Sequence, residues 1–421
     1  MAEPRRVWIT GIGVVCAAGI GVAAFRAGLR GAHSPVRRID RFDASPFRSQ
    51  VAAQVDDFDP LAWMAPKTAR QLDRFSQFGL VAGRLAVEDA KFEAGTSGCA
   101  APDRTGIYLG SALGGIAYAE EQHERFIERG IRSVAPNLAL AVFGGAAPAN
   151  LGIDLGVNGP VLSTANSCAS GAVALGQALA DLREGRVDAA IAGGCEIPIS
   201  PLVFGAFDII RALSAGHNDR PSDAARPFDI ERDGFVMGEG ATLLVLEDAD
   251  TAERRGAIPY AELRGYGATS DAHHMVQPRE DGRDAARAVT IALADAGVEP
   301  ADIDYVNAHA SSTPLGDVAE ARAIAGALGE RAATVPVSGT KALYGHPLGA
   351  SGAIEAAICA LAIRDGWAPA SVNLAEPDPD VVARLPGLLL EGREGRYQRV
   401  LSTSFGFGGL NAALVFGAAT G

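Results

Sequence analysis

The sequence predicts an α/β protein made of two similar halves, and three observations carry that expectation. Short apolar runs of strand type alternate with longer Ala-rich runs of helical spacing along the 421 residues. Gly and Ala are abundant and aromatics few, which suits helices packed closely on sheets. A faint internal repeat is also present. Cys168-Ala169-Ser170-Gly171 opens a helix that ends at Arg183-Glu184-Gly185, and His346-Pro347-Leu348-Gly349-Ala350-Ser351-Gly352 opens one that ends at Arg364-Asp365-Gly366. Two halves joined near residue 255, covering 1–255 and 256–421, explain this. A chance likeness between two Ala-rich helices also fits.

The elements follow in order. Val7 to Thr10 is a buried strand entering a Gly-rich turn at Gly11. Ala23 to Leu29 is a short helix, and Ser34 to Asp59 is loop with short strands. Ala69 to Ala90 is one long amphipathic helix. Thr105 to Gly110 is a strand, followed by the tight loop Gly110 to Gly115. Ala119 to Arg129 is charged and helical. Gly159 to Leu162 reads as turn then strand, and a helix starts at Ser170. Val173, Leu175, Leu179 and Leu182 give that helix one buried face, and Gly185 stops it. Val187 to Gly193 and Ala241 to Glu247 are buried strands flanking a loop-rich region, 198–240. Alternation resumes with Tyr260 to Gly267, Asp284 to Ala296, Asp304 to Ala308 and Gly316 to Leu328.

Composition excludes several classes. The net charge of −13 leaves no footprint for nucleic acid. The five cysteines form no C-x-x-C pair, which argues against structural zinc or a disulfide framework. Gly11, Gly13, Gly19 and Gly21 interrupt the uncharged run that follows Arg5-Arg6, so it is not a signal peptide, and no stretch is long enough to span a bilayer. A cytoplasmic protein is expected. Gly11-Ile12-Gly13 lacks the rest of a dinucleotide fingerprint.

The candidate chemistry centres on Cys168. It falls at a strand-to-helix junction, where free N–H groups and the helix dipole favour a thiolate. A buried cysteine acting as a small hydrophobe is the plainer reading. His309 follows the strand Tyr305 to Ala308, and His346 lies in Gly345-His346-Pro347. Packed or surface histidines are commoner, but both stand in small-residue loops near strand ends, where sites in α/β sheets gather. His273-His274 has no fitting set of metal ligands.

The ordered set of Cys168, Asn307-Ala308-His309, Lys341 with Gly345-His346, and Phe405-Gly406-Phe407-Gly408-Gly409 resembles the β-ketoacyl-acyl-carrier-protein synthases. These are the stand-alone condensing enzymes of type II fatty-acid and aromatic polyketide synthesis. The likeness runs from Val7-Trp8-Ile9-Thr10-Gly11 to Leu410-Asn411. It implies a thiolase-type fold with a layered αβαβα core, the first half carrying the nucleophile and the second both histidines. The resemblance assigns Cys168 the acyl thioester, and His309 and His346 the enolate formed as malonyl-carrier protein loses carbon dioxide. It gives the backbone of Cys168 and Phe407 a second oxyanion site, and Phe407 against Leu113 a gate. Lys341 would pair with Glu320, and Ser311 and Thr313 would bind the pantetheine amides. Lys67, Arg70 and Arg211, with Arg74 and Arg132 nearby, would dock an acidic carrier protein. No cofactor is expected beyond the carrier's phosphopantetheine arm, apart from a structural monovalent cation at Asn307 and Glu355. The assembly would be a homodimer, or a heterodimer with a chain-length-factor-like subunit.

The chain departs from the family pattern in several places. Asn166-Ser167 replaces Thr-Ala before the cysteine, Ala310 replaces a glycine, Ser311 a threonine, and Thr403 an asparagine. Leu138 stands where some relatives place an aromatic. These changes leave the acyl substrate open. Non-elongating acyl transfer, hydrolysis and a catalytically silent partner subunit are the competing readings.

Overall fold

The computed structural model describes residues 4–419. In chain order its main elements begin with strand β1 (Val7–Cys16) and helices α1 (Val22–Gly31), α2 (Pro66–Gln71) and α3 (Arg74–Ala90). Strand β2 (Thr105–Gly110) is followed by α4 (Ile116–Arg129) and α5 (Ala146–Leu155). Then come β3 (Val161–Thr164), α6 (Ser170–Arg183), β4 (Ala189–Glu196), α7 (Pro201–Ile209) and β5 (Gly240–Asp248). The remainder holds β6 (Ala261–Ser270), α8 (Arg283–Ala296), β7 (Tyr305–Ala308), α9 (Pro314–Leu328) and β8 (Val337–Gly339). Helix α10 (Ser351–Asp365) and the hairpin β9 (Arg399–Gly406) and β10 (Leu410–Gly417) close the chain.

The strands lie in the order β8-β7-β9-β10-β6-β1-β5-β4-β2-β3. The order is palindromic in role. From either edge inward, two parallel pairings give way to antiparallel ones. The two runs meet where β1 pairs antiparallel with β6 at Trp8–Glu262 and Ile9–Ala261. Helices α6 and α10 lie side by side between the two runs, touching strands of both. Their Leu175, Leu179, Ile354 and Ile358 belong to the central core. Helix α3 covers the outer face of one run through Phe75, Phe78 and Val81. Helices α8 and α9 cover the other through Val289, Leu293 and Ile324. This is the five-layer αβαβα arrangement expected.

Two local expectations are corrected. Gly11 does not begin a turn, because β1 continues to Cys16. A Cβ on Gly11 would lie 2.2 Å from the Ala86 carbonyl oxygen, and one on Gly13 would lie 1.9 Å from that of Ala82. The glycines let α3 press against the strand. The second correction is that the helix expected over Ala69–Ala90 is two helices, α2 and α3. Leu72 is extended (ψ 139°), and Asp73 caps α3 by accepting the Ser76 N–H at 3.0 Å.

The crossing of α6 and α10 is equally close. A Cβ on Gly171 would be 3.0 Å from the Ala353 nitrogen, and one on Gly352 would be 2.9 Å from that of Ala172. Each helix follows a one-turn 3-10 segment, Ser167–Ala169 or Leu348–Ala350. This contact brings the N-termini of both helices to one place, and the candidate residues gather there.

Candidate active site

Cys168 occupies the 3-10 turn between β3 and α6. Ser167 before it takes φ 52°, a costly conformation for a residue with a Cβ. The Ser170 hydroxyl holds it there, accepting the Asn166 N–H at 2.8 Å and donating to the Ser167 carbonyl at 2.6 Å. Cys168 is 6% exposed. Its Sγ lies 3.2 Å from His346 Nε2 and 3.8 Å from the Ser167 hydroxyl, and the Phe407 N–H also points at it. Burial pushes the thiol up to about 11, and the Ser167 hydroxyl, the Lys341 charge and the Phe407 N–H oppose this without overcoming it. The resting group is therefore a thiol, and the helix start does not make it the thiolate expected.

His309 leaves the end of β7 into a turn, and its ring meets that of His346 edge to face, centroids 5.2 Å apart. Lys341 Nζ lies 3.3 Å from His309 Nδ1 and also donates to the His309 carbonyl and to Glu355. An ammonium can only donate, so Nδ1 accepts and the ring proton sits on Nε2. His346 Nδ1 lies 2.8 Å from the Ser351 hydroxyl, at the first residue of α10. Burial, and next the Lys341 charge, hold both imidazoles well below the usual histidine range, so both are neutral.

The expected pairing of Lys341 with Glu320 is corrected, because the ion pair is with Glu355. Glu320 holds the histidine loop instead. It accepts the N–H groups of His309 (2.8 Å) and Ala310 (2.6 Å) and the Thr403 hydroxyl (2.6 Å). Glu196, which the sequence reading passed over, holds the opposite loop. It accepts from the Ser111 hydroxyl (2.9 Å) and from the N–H groups of Ala112, Leu113 and Gly349 (2.6, 3.1 and 3.0 Å). Its only sequence signal is a carboxylate ending an apolar strand, Gly193-Gly194-Cys195-Glu196. Burial raises both carboxyls to about 7. Ser351 was also missed. It stands in the internal repeat where Ser170 stands in the other copy.

A cavity of about 380 Å³ leads to Cys168, His309 and His346, and Ser311, Thr313, Arg211 and Phe407 also line it. The Ser311 and Thr313 hydroxyls are 2.9 Å apart. Buried Arg232 secures their turn by donating to the carbonyls of Thr313 (3.1 Å) and Pro314 (2.9 Å). Phe407 stacks on Phe207 with centroids 6.2 Å apart, and Leu113 packs on the same apolar cluster. Lys67 and Arg70 are exposed on α2, outside the cavity lining, and Arg132 is exposed as well. Arg74 is part-buried and bonds to Glu239 and the Val55 carbonyl. His274 uses Nδ1 to accept the N–H groups of Val276 and Gln277, both at 3.0 Å. Asn307 Oδ1, Glu355 Oε2 and Ser402 Oγ are buried without a hydrogen-bond partner, and Asn307 faces Ser402 in the β7–β9 register. These oxygens fit a hard cation.

The model of the β-ketoacyl synthase N-terminal domain matches residues 4–252, and that of the C-terminal domain matches 260–375. The 3-oxoacyl-[acyl-carrier-protein] synthase 2 of Coxiella burnetii is 41% identical over 413 residues, 98% of each chain. The structure AntDE:AntF is a type II PKS acyl-carrier protein in complex with its ketosynthase. It superposes with a TM-score of 0.90 at 32% identity, covering 99% of this chain and 100% of that one. The ishigamide ketosynthase/chain length factor gives the same values.

Proposed function

The chain belongs to the β-ketoacyl synthase family, and from that premise we propose that it joins an acyl chain to malonyl-carrier protein with loss of carbon dioxide. One observation carries the reading: the thiol of Cys168 and a ring nitrogen each of His309 and His346 converge within 4.8 Å of one another at the end of the cavity. In the first half-reaction the Cys168 sulfur attacks an acyl-pantetheine thioester. The thiol proton passes to the departing pantetheine sulfur, leaving acyl-Cys168 and free carrier thiol. The tetrahedral oxyanion falls to the backbone N–H groups of Cys168 and Phe407.

Malonyl-carrier protein then enters, its pantetheine amides on Ser311 and Thr313. The C–C bond to the carboxylate breaks and its electron pair forms the enolate. His309 donates Nε2–H to that oxygen. His346 does the same when the Ser351 hydroxyl donates to its Nδ1. Neutral donors suit this task, since they stabilise charge without surrendering the proton. The carbanion attacks the acyl-Cys168 carbonyl, the C–S bond breaks, and one proton taken up from water returns the sulfur to a thiol. The product is β-ketoacyl-carrier protein.

Lys341 is a positioning residue that fixes the His309 tautomer, and Glu320 is one that holds its loop. The orphaned oxygens of Asn307, Glu355 and Ser402 support a bound monovalent cation. Arg211 at the cavity, with Lys67 and Arg70, would meet an acidic carrier protein. The edge strand β3 exposes Val161 and Leu162, with Ile153 lining the same surface depression as Val161, and Leu140 and Phe143 are exposed as well. A second ketosynthase-type subunit would cover them, either another copy or a chain-length-factor-like partner. No helix among the described residues is long and apolar enough to cross a membrane.

The test is intact-protein mass spectrometry with a panel of acyl-carrier proteins, followed by malonyl-carrier protein. The expected result is a mass gain on Cys168 that disappears as a β-ketoacyl product forms. A gain released as free acid or another ester would replace this reading with hydrolysis or plain acyl transfer. No gain with any chain would point to a silent subunit.

A further inference from the structure

The same three side chains suggest something that condensation does not require. Cys168 Sγ and one ring nitrogen from each of His309 and His346 lie within 4.8 Å of one another, and all three residues are buried. The set combines one sulfur with two imidazoles, and all three residues line the same cavity. In its catalytic sites zinc takes three protein ligands of this kind and leaves a fourth position to water. We infer that Cys168, His309 and His346 form a reversible binding site for a soft divalent metal ion, zinc by fit.

Zinc–sulfur and zinc–nitrogen bonds place ligand atoms roughly 3.5 Å apart in a tetrahedron. His346 Nε2 and Sγ, at 3.2 Å, already stand close to that spacing. The His309 ring nitrogen, within 4.8 Å of the other two atoms, would have to close the remainder by moving its ring. Binding balances simply: the metal ion and the Cys168 thiol give a metal thiolate and one free proton.

Lys341 works against this site. To ligate through Nε2, His309 must move its ring proton to Nδ1, and Lys341 Nζ already donates to Nδ1 at 3.3 Å. The ammonium that sets the catalytic tautomer therefore weakens the metal complex. A bound ion would use the sulfur electron pair and both ring nitrogens. Acyl loading and enolate stabilisation would stop together, and an acylated Cys168 would refuse the metal.

Cobalt(II) tests the proposal on the full chain after treatment with a chelator, with no carrier protein present. The readout is independent of the condensation reading, so either can fail alone. One equivalent should bind with a sulfur-to-cobalt charge-transfer band in the near ultraviolet, release one proton, and be displaced by zinc. Alkylated wild type, which keeps the fold, and Cys168→Ala should lose the band. His346→Ala should bind at least about tenfold more weakly, and Lys341→Met more tightly, with circular dichroism checking both folds. Binding without the sulfur band, or binding undiminished after alkylation, would overturn the site. Unchanged affinity in Lys341→Met would overturn the role given to the ammonium.

Discussion

Cys168 is held as a thiol by burial, and that has a measurable consequence. Its alkylation by iodoacetamide should be slow at neutral pH and rise about tenfold per pH unit toward pH 11, because only the thiolate reacts. A rate already level at pH 7 would mean the helix start prevails over burial after all. Lys341 is nearly inaccessible and serves both Glu355 and His309. Lys341→Met should still load an acyl chain but lose about a hundredfold in carbon dioxide release, seen by comparing mass gain with carbon dioxide trapping. Cys168, His309 and His346 were legible in the sequence because each stands among small residues at an element end. The partner of Lys341 was not. Glu320 and Glu355 both lie on helices, and which of them approaches an ammonium depends on how α9 and α10 are set in the layers.

Glu196 and the paired glycines act on whole elements. Glu196 gathers four donors from two loops, so its carboxyl couples loop order to pH. With its native value raised to about 7 from 4.5, the folded state holds a proton that the unfolded chain has lost between those pH values. Its contribution to stability therefore falls as pH rises through that window. His309 and His346 act in the opposite sense, losing stability as pH drops below 6.5, where the unfolded chain binds protons they do not. Glu196→Gln should make the slope of unfolding free energy between pH 4.5 and 7 more positive by at most about 1.4 kcal/mol per pH unit, read from urea titrations. Gly13→Ala should cost about 3 kcal/mol by forcing α3 away from β1, lowering the denaturation midpoint with little change in its slope. The reading of Gly11 as a turn failed because a glycine in sequence does not say whether it is needed for a bend or for a close neighbour. The second copy held the answer: a Cβ on Gly265 or Gly267 in β6 would lie 2.3 or 2.1 Å from the Ala292 or Ala288 carbonyl oxygen of α8, as one on Gly11 or Gly13 would against α3.

At the scale of the molecule, the exposed edge strand β3 makes a claim about assembly. Leu162→Lys should yield a monomer by sedimentation, with folded circular dichroism, if that edge is a subunit contact. The alternation of strands and helices was readable from apolar spacing, but the palindromic strand order was not, since it depends on pairings between residues hundreds of positions apart. That order has a consequence for how labour is divided. Ser167-Cys168-Ala169 and Leu348-Gly349-Ala350 are the same turn in two copies, each opened by a residue with positive φ (52° and 36°). Where one copy carries Cys168, the other carries Gly349, whose Cβ would strike the Glu196 carboxylate at 2.6 Å. A second cysteine there would have nowhere to sit. On the proposed reaction, one copy is the handle that would hold a covalent passenger, and the other would supply the polar hands that work on it. Neither is a spare for the other, and a chain repeated in architecture has only one chance at its chemistry.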